Sequence, residues 1–178
     1  MASYIYELPF GHGRRWGTNW NKAADMFLGG WQLSGIHVLQ GGLGLTATLA
    51  GSTVLNIGGE RRARPNVVGN PILSASERTV QRWFNTAAFA VFSPSPQAFG
   101  NGGVGIMRGP DYRNFDFTLA KDFHFNERVR VQFRTEFFNA FNRANFGPPN
   151  IARDSSGFGQ ILSASNARII QFGLKLYY

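Results

Sequence analysis

The residues best placed to do chemistry lie in two neighbouring stretches, 114–125 and 129–138. Asp116, Asp122 and Glu136 fall on one parity with Arg130, Gln132 and Arg134. Paired carboxylates can work as general acid and base when their surroundings push their proton affinities apart. A charge ladder lining a wet interior accounts for the same residues without catalysis, and that is the reading adopted. His12, His37 and His124 are scattered, with neither i,i+4 spacing nor an H-x-H pair on a strand, so no metal site is expected. Gly100-Asn-Gly-Gly-Val-Gly105 spells G-x-G-x-x-G, but a dinucleotide site needs a strand before it and a helix after. Here Pro94 and Pro96 precede it and Gly109-Pro110 follows, which reads as a flexible loop, and no cofactor is expected. The chain has no cysteine, which excludes thiolate zinc sites, disulfides and a Cys nucleophile. No serine stands in the setting of an activated nucleophile, and the chain is not expected to be an enzyme.

The elements that position the charged residues are read from alternation. In 114–125, Phe115, Phe117, Leu119, Phe123 and Phe125 are apolar, while Asn114, Asp116, Thr118, Asp122 and His124 are polar. In 129–138, Val131, Phe133 and Phe137 alternate with Arg130, Gln132, Arg134 and Glu136. Period-two alternation puts one apolar and one polar face on a strand. A one-residue slip would flip every side chain, so the two faces coincide only in certain registers. A loop of Asn126-Glu127-Arg128 satisfies this, setting Phe125 against Val129, Phe123 against Val131 and Phe117 against Phe137. Asp122 then faces Gln132, with Arg130 and Arg134 diagonal to it. Lys121 breaks the apolar face near the turn, where a long side chain can snorkel to an interface.

A closing strand is expected near 167–178, where the end of the chain alternates just as clearly. Ile170, Phe172, Leu174, Leu176 and Tyr178 share one parity, and Ala167, Gln171, Gly173 and Lys175 the other. A transmembrane β-strand needs about 9–11 residues, apolar toward lipid and polar toward the lumen. Further strands are expected near 2–8, 31–40 and 43–49, although the faces of 31–40 are ambiguous. Residues 21–28 carry one or two helical turns before Gly29-Gly30. Residues 50–111 and 139–165, rich in Gly, Pro, Ser and Asn, read as long loops, with a short ordered piece near 82–91. Loops of that length are unusual in a compact soluble domain and ordinary on the outer side of a large barrel.

Composition is compatible with this. Hydrophobic residues make up 43 % of 178, and 22 Gly and 17 Phe suit a β-rich chain with many turns. No stretch approaches the roughly 18 consecutive apolar residues of a membrane helix, so any crossing must be made by strands. The net charge of +8 fits a solvated basic surface or a rim facing anionic lipid. The basic stretch Arg130 to Phe138 lacks the aromatic pattern of an RNA-binding sheet, and no nucleic-acid partner is expected. Met1 to Glu7 has no basic n-region and no apolar h-region, so the chain is read either as not exported as it stands or as lacking its true beginning.

Several segments, taken in order, resemble the C-terminal barrel end of TonB-dependent outer-membrane receptors, most closely the large-loop type of acidobacterial genomes. They are 8–16 (LPFGHGRRW), 30–36 (GWQLSGI), 64–69 (RPNVVG), 83–90 (WFNTAAFA), 107–110 (MRGP), 114–123, 131–139 (VQFRTEFFN), 145–147 (NFG) and 171–178 (QFGLKLYY). The resemblance implies a large barrel of about 22 strands with a plugged lumen. Such receptors take up scarce solutes (siderophores, vitamins or glycans), driven through TonB acting on an N-terminal plug. The expected fold is therefore all-β, an antiparallel meander of five to six long strands forming an incomplete segment of that barrel. Its partners would be outer-membrane lipid, the missing N-terminal barrel and plug, TonB through that plug, and the barrel assembly machinery. The implied address is the outer membrane of a Gram-negative type bacterium.

The lipid-facing set would be Phe115, Phe117, Leu119, Phe123, Val131, Phe133, Phe137, Ile170, Phe172, Leu174 and Leu176. The lumen-facing set would be Asp116, Asp122, Arg130, Gln132, Arg134 and Glu136. Gly173, Leu176 and Tyr178 resemble the terminal signal read by the assembly machinery, with Phe172 where a polar residue is usual. Such a fragment would not transport alone. The alternative is a soluble β-sandwich binding module, which would need a second sheet over the phenylalanines.

Overall fold

The structure is a computed structural model that describes residues 1–49, 63–90 and 100–178. The elements in chain order are β1 (Ala2–Glu7), α1 (Lys22–Leu28), β2 (Trp31–Gln40), β3 (Gly44–Leu45), β4 (Asn66–Val67), β5 (Phe89–Ala90), β6 (Met107–Arg108), β7 (Tyr112–His124), β8 (Arg130–Phe138) and β9 (Ile169–Tyr177). They form two compact units: a sheet unit of Met1–Gln40, Arg113–Ala144 and Asn166–Tyr178, and a loop unit of Gly41–Tyr112 and Asn145–Ser165.

The sheet unit is one five-stranded sheet in the order β1-β2-β7-β8-β9. β1 pairs antiparallel with β2, β7 with β8, and β8 with β9. Trp31 lies beside Lys121, and His37 beside Phe115 and Phe117, so β2 and β7 also run in opposite directions. The long strands thus make an antiparallel meander, as alternation requires. β7 and β8 take the register that aligns their faces, with Phe123 opposite Val131, Asp122 opposite Gln132 and Phe117 opposite Phe137. The turn between them is held by Asn126, whose Oδ1 accepts from the amides of Arg128 (2.9 Å) and Val129 (2.7 Å). Asn side chains that bond the backbone two or three residues on close turns of this kind.

Asn139, at φ 49°, takes the chain off β8. Its amide donates to Asp116 Oδ1 at 2.8 Å, and its side chain donates to the carbonyls of Arg143 and Asn166 and accepts from the Arg143 amide. A short amide side chain tolerates the left-handed region and supplies the bonds the turning backbone needs.

The expectation of a strand over 43–49 needs correction. Only Gly44–Leu45 is strand, and it pairs with Met107–Arg108 in the loop unit. Beyond it the Thr48 amide donates to Ile151 and the Leu49 amide to Ala63. The alternation of Leu45, Ala47 and Leu49 is real, but it reports burial in the loop unit's core, not a place in the large sheet. The sheet has five strands.

Within the stretches read as long loops, the described residues are mostly irregular but packed. Phe84, Phe89 and Phe158 meet edge to face, with centroids 5.0–5.9 Å apart, a geometry that aromatic quadrupoles favour. Leu45, Ala47, Ala88 and Met107 complete this core. Ordered structure near 82–91 consists of a 3-10 turn at Thr86–Ala88 followed by β5; Val91 lies outside the described residues.

The glycine run 100–105 is no free loop either. Gly102 donates to Pro65, Gly105 to Thr46 Oγ1, and Asn101 exchanges bonds with Asn66 and Val67. A Cβ on Gly100 would run into the backbone of Arg64 and Pro65, so glycine serves close backbone approach here.

Candidate functional site

The five strands set two unlike faces. One carries Tyr4 and Tyr6 from β1, Trp31, Leu33 and His37 from β2, the odd residues of β7 and β8, and the even residues of β9. Cross-strand pairs place Phe137 beside Ile170, Phe133 beside Leu174 and Val131 beside Leu176. Ring contacts run across the whole width. Tyr4 meets His37, His37 meets Phe115 and Phe117, Trp31 meets Phe133, and Phe133 stacks with Phe172 at 6.3 Å. These contacts resolve the ambiguous faces of residues 31–40, because Trp31, Leu33 and His37 join the phenylalanines.

That face is open. Ile170, Phe172, Leu174 and Leu176 keep 46–75 % of their surface exposed, and within the sheet unit no second sheet covers them among the described residues. Phe115, Phe117, Leu119, Phe123, Val131, Phe133 and Phe137 are half-buried, with the Phe141 ring against Phe115 and Phe117. A contiguous exposed apolar surface of this kind marks an interaction face.

The opposite face gathers the charges. Asp122 accepts from Gln132 Nε2 at 3.0 Å and pairs with Arg130 at 3.5 Å. Arg134 turns away from Asp122 and pairs with Glu136 at 2.8 Å, and Glu136 also accepts from Gln171 at 3.0 Å. Asp116 is engaged by the side chain of Asn114 and the amide of Asn139. Arg130 lies over the Tyr177 ring at 4.1 Å, with Lys175 4.6 Å from the same ring. Every carboxylate here has a cationic or N–H partner. The arrangement is a ladder of satisfied carboxylates. Among the described residues no group of three His, Asp or Glu is placed to hold a metal ion. An open groove of about 650 Å³ crosses this face, lined by Ser3, Ile5, Ser34, Asp116, Thr118 and Arg134.

Lys121 corrects an expectation. It does not reach out to an interface. It is 4 % exposed, donates to the carbonyl of Gly29, and lies against the rings of Trp31 (5.8 Å) and Phe123 (5.3 Å). The C-terminal end of a helix leaves carbonyls without partners, and a lysine is suited to one of them. Alternation could not show this, because the carbonyl lies 92 residues away in sequence.

His37 is a second feature that sequence left unread. Its Nε2 is buried without a hydrogen-bond partner amid aromatic rings. At the chain's end, a Cβ on Gly173 would meet no atom within 4 Å, and Tyr178 is 98 % exposed.

No helix is long and apolar enough to cross a membrane among the described residues. No curated protein and no solved structure matches the chain. A family model described as "Outer membrane beta barrel domain" matches residues 1–171. A two-faced antiparallel meander, with its apolar side open and strands in place of membrane helices, is what that match requires of a wall segment. The chain therefore belongs to the outer membrane beta barrel domain family and is a protein of the outer membrane.

Proposed function

We propose that this sheet is part of the barrel wall of a TonB-dependent receptor that takes up a scarce solute such as a siderophore, vitamin or glycan. The phenylalanine-rich face meets hydrocarbon, and the Asp116–Glu136 ladder lines the lumen. The observation that carries the reading is the pairing of an uncovered aromatic face with a fully satisfied charged face on one sheet. Lipid offers no hydrogen bonds, so polar groups collect on the wet side. The ordered set of segments that resembles these receptors supports the finer assignment. Five strands do not enclose a pore, since the smallest outer-membrane barrels have about eight. Transport then depends on further strands pairing with the open edges of β1 and β9, and the sheet alone does not transport.

A soluble sandwich would need a second sheet over Phe172 and Leu174, and these remain exposed in a chain whose family resides in the outer membrane.

The test is cross-linking in the bacterium that makes the protein. An affinity tag placed at Val104, an exposed position, retrieves the protein after formaldehyde treatment. TonB in the retrieved complex is the expected result. A protein that reaches the outer membrane yet never cross-links to TonB would overturn the receptor assignment.

A further inference from the structure

The connection from β1 to β2 stands at the same strand ends as the β7–β8 turn and Tyr177, since Glu7 pairs with Gln32, His124 with Arg130, and Arg130 with Tyr177. Its shape is set by internal bonds. Asn21 caps α1 by accepting from the Ala24 amide at 2.7 Å, and the His12 amide donates to Asp25 Oδ1 at 2.6 Å. Gly11, at φ 122°, lies so close to Asp25 and Gly29 that a Cβ there would meet both. The Gly30 amide closes the loop on the Phe10 carbonyl at 3.2 Å.

This ordered piece turns its large apolar side chains outward. Phe27 is 64 % exposed, Leu28 56 %, Trp16 50 % and Met26 40 %, and α1 buries none of its residues. Seven residues are too few to hold a helix in water unaided. Two bonds join the helix end to the phenylalanine-rich face: Lys121 donates to Gly29, and Trp31 Nε1 donates to the Phe27 carbonyl at 2.9 Å. Trp31 and Lys121 both belong to that face, so the C-terminal end of α1 is held at its edge.

The charges point to the occupant. Arg14 is taken by Glu7 at 2.6 Å, and Asp25 by the His12 amide. Arg15 lies over the Trp16 ring at 5.3 Å, and Lys22 is exposed; among the described residues neither is in an ion pair. Exposed apolar and aromatic side chains beside unpaired cations are the composition of a segment lying in a membrane interface.

We propose that residues 10–28 dock on an anionic phospholipid surface. Phe27, Leu28, Met26 and Trp16 enter the headgroup–acyl boundary of the leaflet that surrounds this end of the sheet, about 5–10 Å deep. Arg15 and Lys22 meet the lipid phosphates. The connection is then a foot that sets the height of the wall in the bilayer. The proposal rests on the reading of the phenylalanine-rich face as lipid-facing.

The absence of cysteine makes the test clean. Single-cysteine variants Phe27→Cys, Leu174→Cys and Val104→Cys of the protein, purified from outer membranes, carry an environment-sensitive fluorophore. They are reconstituted into phosphatidylcholine vesicles, with or without phosphatidylglycerol, that hold nitroxide quenchers at a shallow or a deep acyl position. Position 27 is expected to lose about half its emission to the shallow quencher, as an interfacial site does. Position 174 should respond to the deep quencher and position 104 to neither. Omitting phosphatidylglycerol, or adding Arg15→Gln and Lys22→Gln, should weaken quenching at 27 and leave 174 unchanged. Quenching at 174 with none at 27 overturns the docking and leaves the face assignment standing. A label at 27 that is blue-shifted yet unquenched points to a protein occupant and also overturns it. Equal quenching with and without phosphatidylglycerol removes the anionic component. Loss of quenching at both 27 and 174 removes the face assignment and the docking with it.

Discussion

Lys121, in the middle of an aromatic face, donates its ammonium proton to the carbonyl of Gly29, at the end of a helix 92 residues earlier. One bond fastens the β1–β2 connection to the sheet and satisfies a helix-end carbonyl.

The relative cost of two substitutions follows. Lys121→Met keeps the stem against Trp31 and Phe123 but leaves the Gly29 carbonyl without its donor, at a cost of about 1–2 kcal/mol. Lys121→Ala also opens a cavity, for a total of about 2–5 kcal/mol. Urea unfolding in detergent micelles, followed by tryptophan emission, should rank wild type above Met and Met above Ala. Equal stability of all three would show that the bond to Gly29 contributes nothing.

His37 carries the opposite expectation. Its Nε2 is buried without a partner, and its ring touches Tyr4, Phe115 and Phe117. His37→Phe keeps the ring contacts and removes the unsatisfied nitrogen, so the variant should be more stable by about 1 kcal/mol or more. The same unfolding assay checks it, and a loss of stability would mean that the nitrogen has a partner in the membrane.

Acid should loosen one corner of the loop unit. The Ser74 hydroxyl and amide donate to Glu77 at 2.6 and 3.0 Å, and these bonds, with the charge of Arg82, hold its carboxyl below the ordinary 4.5. A depressed folded value stabilises the fold above the unfolded value and stops doing so as pH falls through the folded one. The hydrogen-exchange protection factors of residues 74–82, corrected for the intrinsic rate at each pH, should therefore fall below about pH 4.5 in wild type. Glu77→Gln should show the same protection at all pH values, already reduced at neutrality.

Gly173 separates folding from delivery. A methyl group there meets nothing within 4 Å, so Gly173→Ala should unfold within about 0.5 kcal/mol of wild type. If the assembly machinery reads the terminal residues with Gly173 as a fixed point, the variant should still reach the outer membrane several-fold less well. Normal amounts of folded Gly173→Ala in the membrane would remove Gly173 from that signal.

Much of the sheet was legible from residue order. Alternation in 114–125, 129–138 and 170–178 is enough to define two faces, and matching those faces leaves only certain registers for β7 and β8. Side chains that alternate on a strand carry their environment in their spacing, which is a local property. The same rule misread 43–49. Leu45, Ala47 and Leu49 alternate because extended backbone is buried on one side, and period two does not distinguish a sheet neighbour from the core of a loop unit.

What sequence determined by itself, then, was the identity of the two faces and the strands that bear them, because each follows from neighbours two residues apart. Tertiary structure alone decided that Phe84, Phe89 and Phe158 share a core, that Lys121 serves Gly29, and that α1 holds its apolar side chains outward beside the sheet. Each of these joins residues far apart in the chain, and no periodic pattern records which distant backbone will supply a missing hydrogen-bond partner or fill a space.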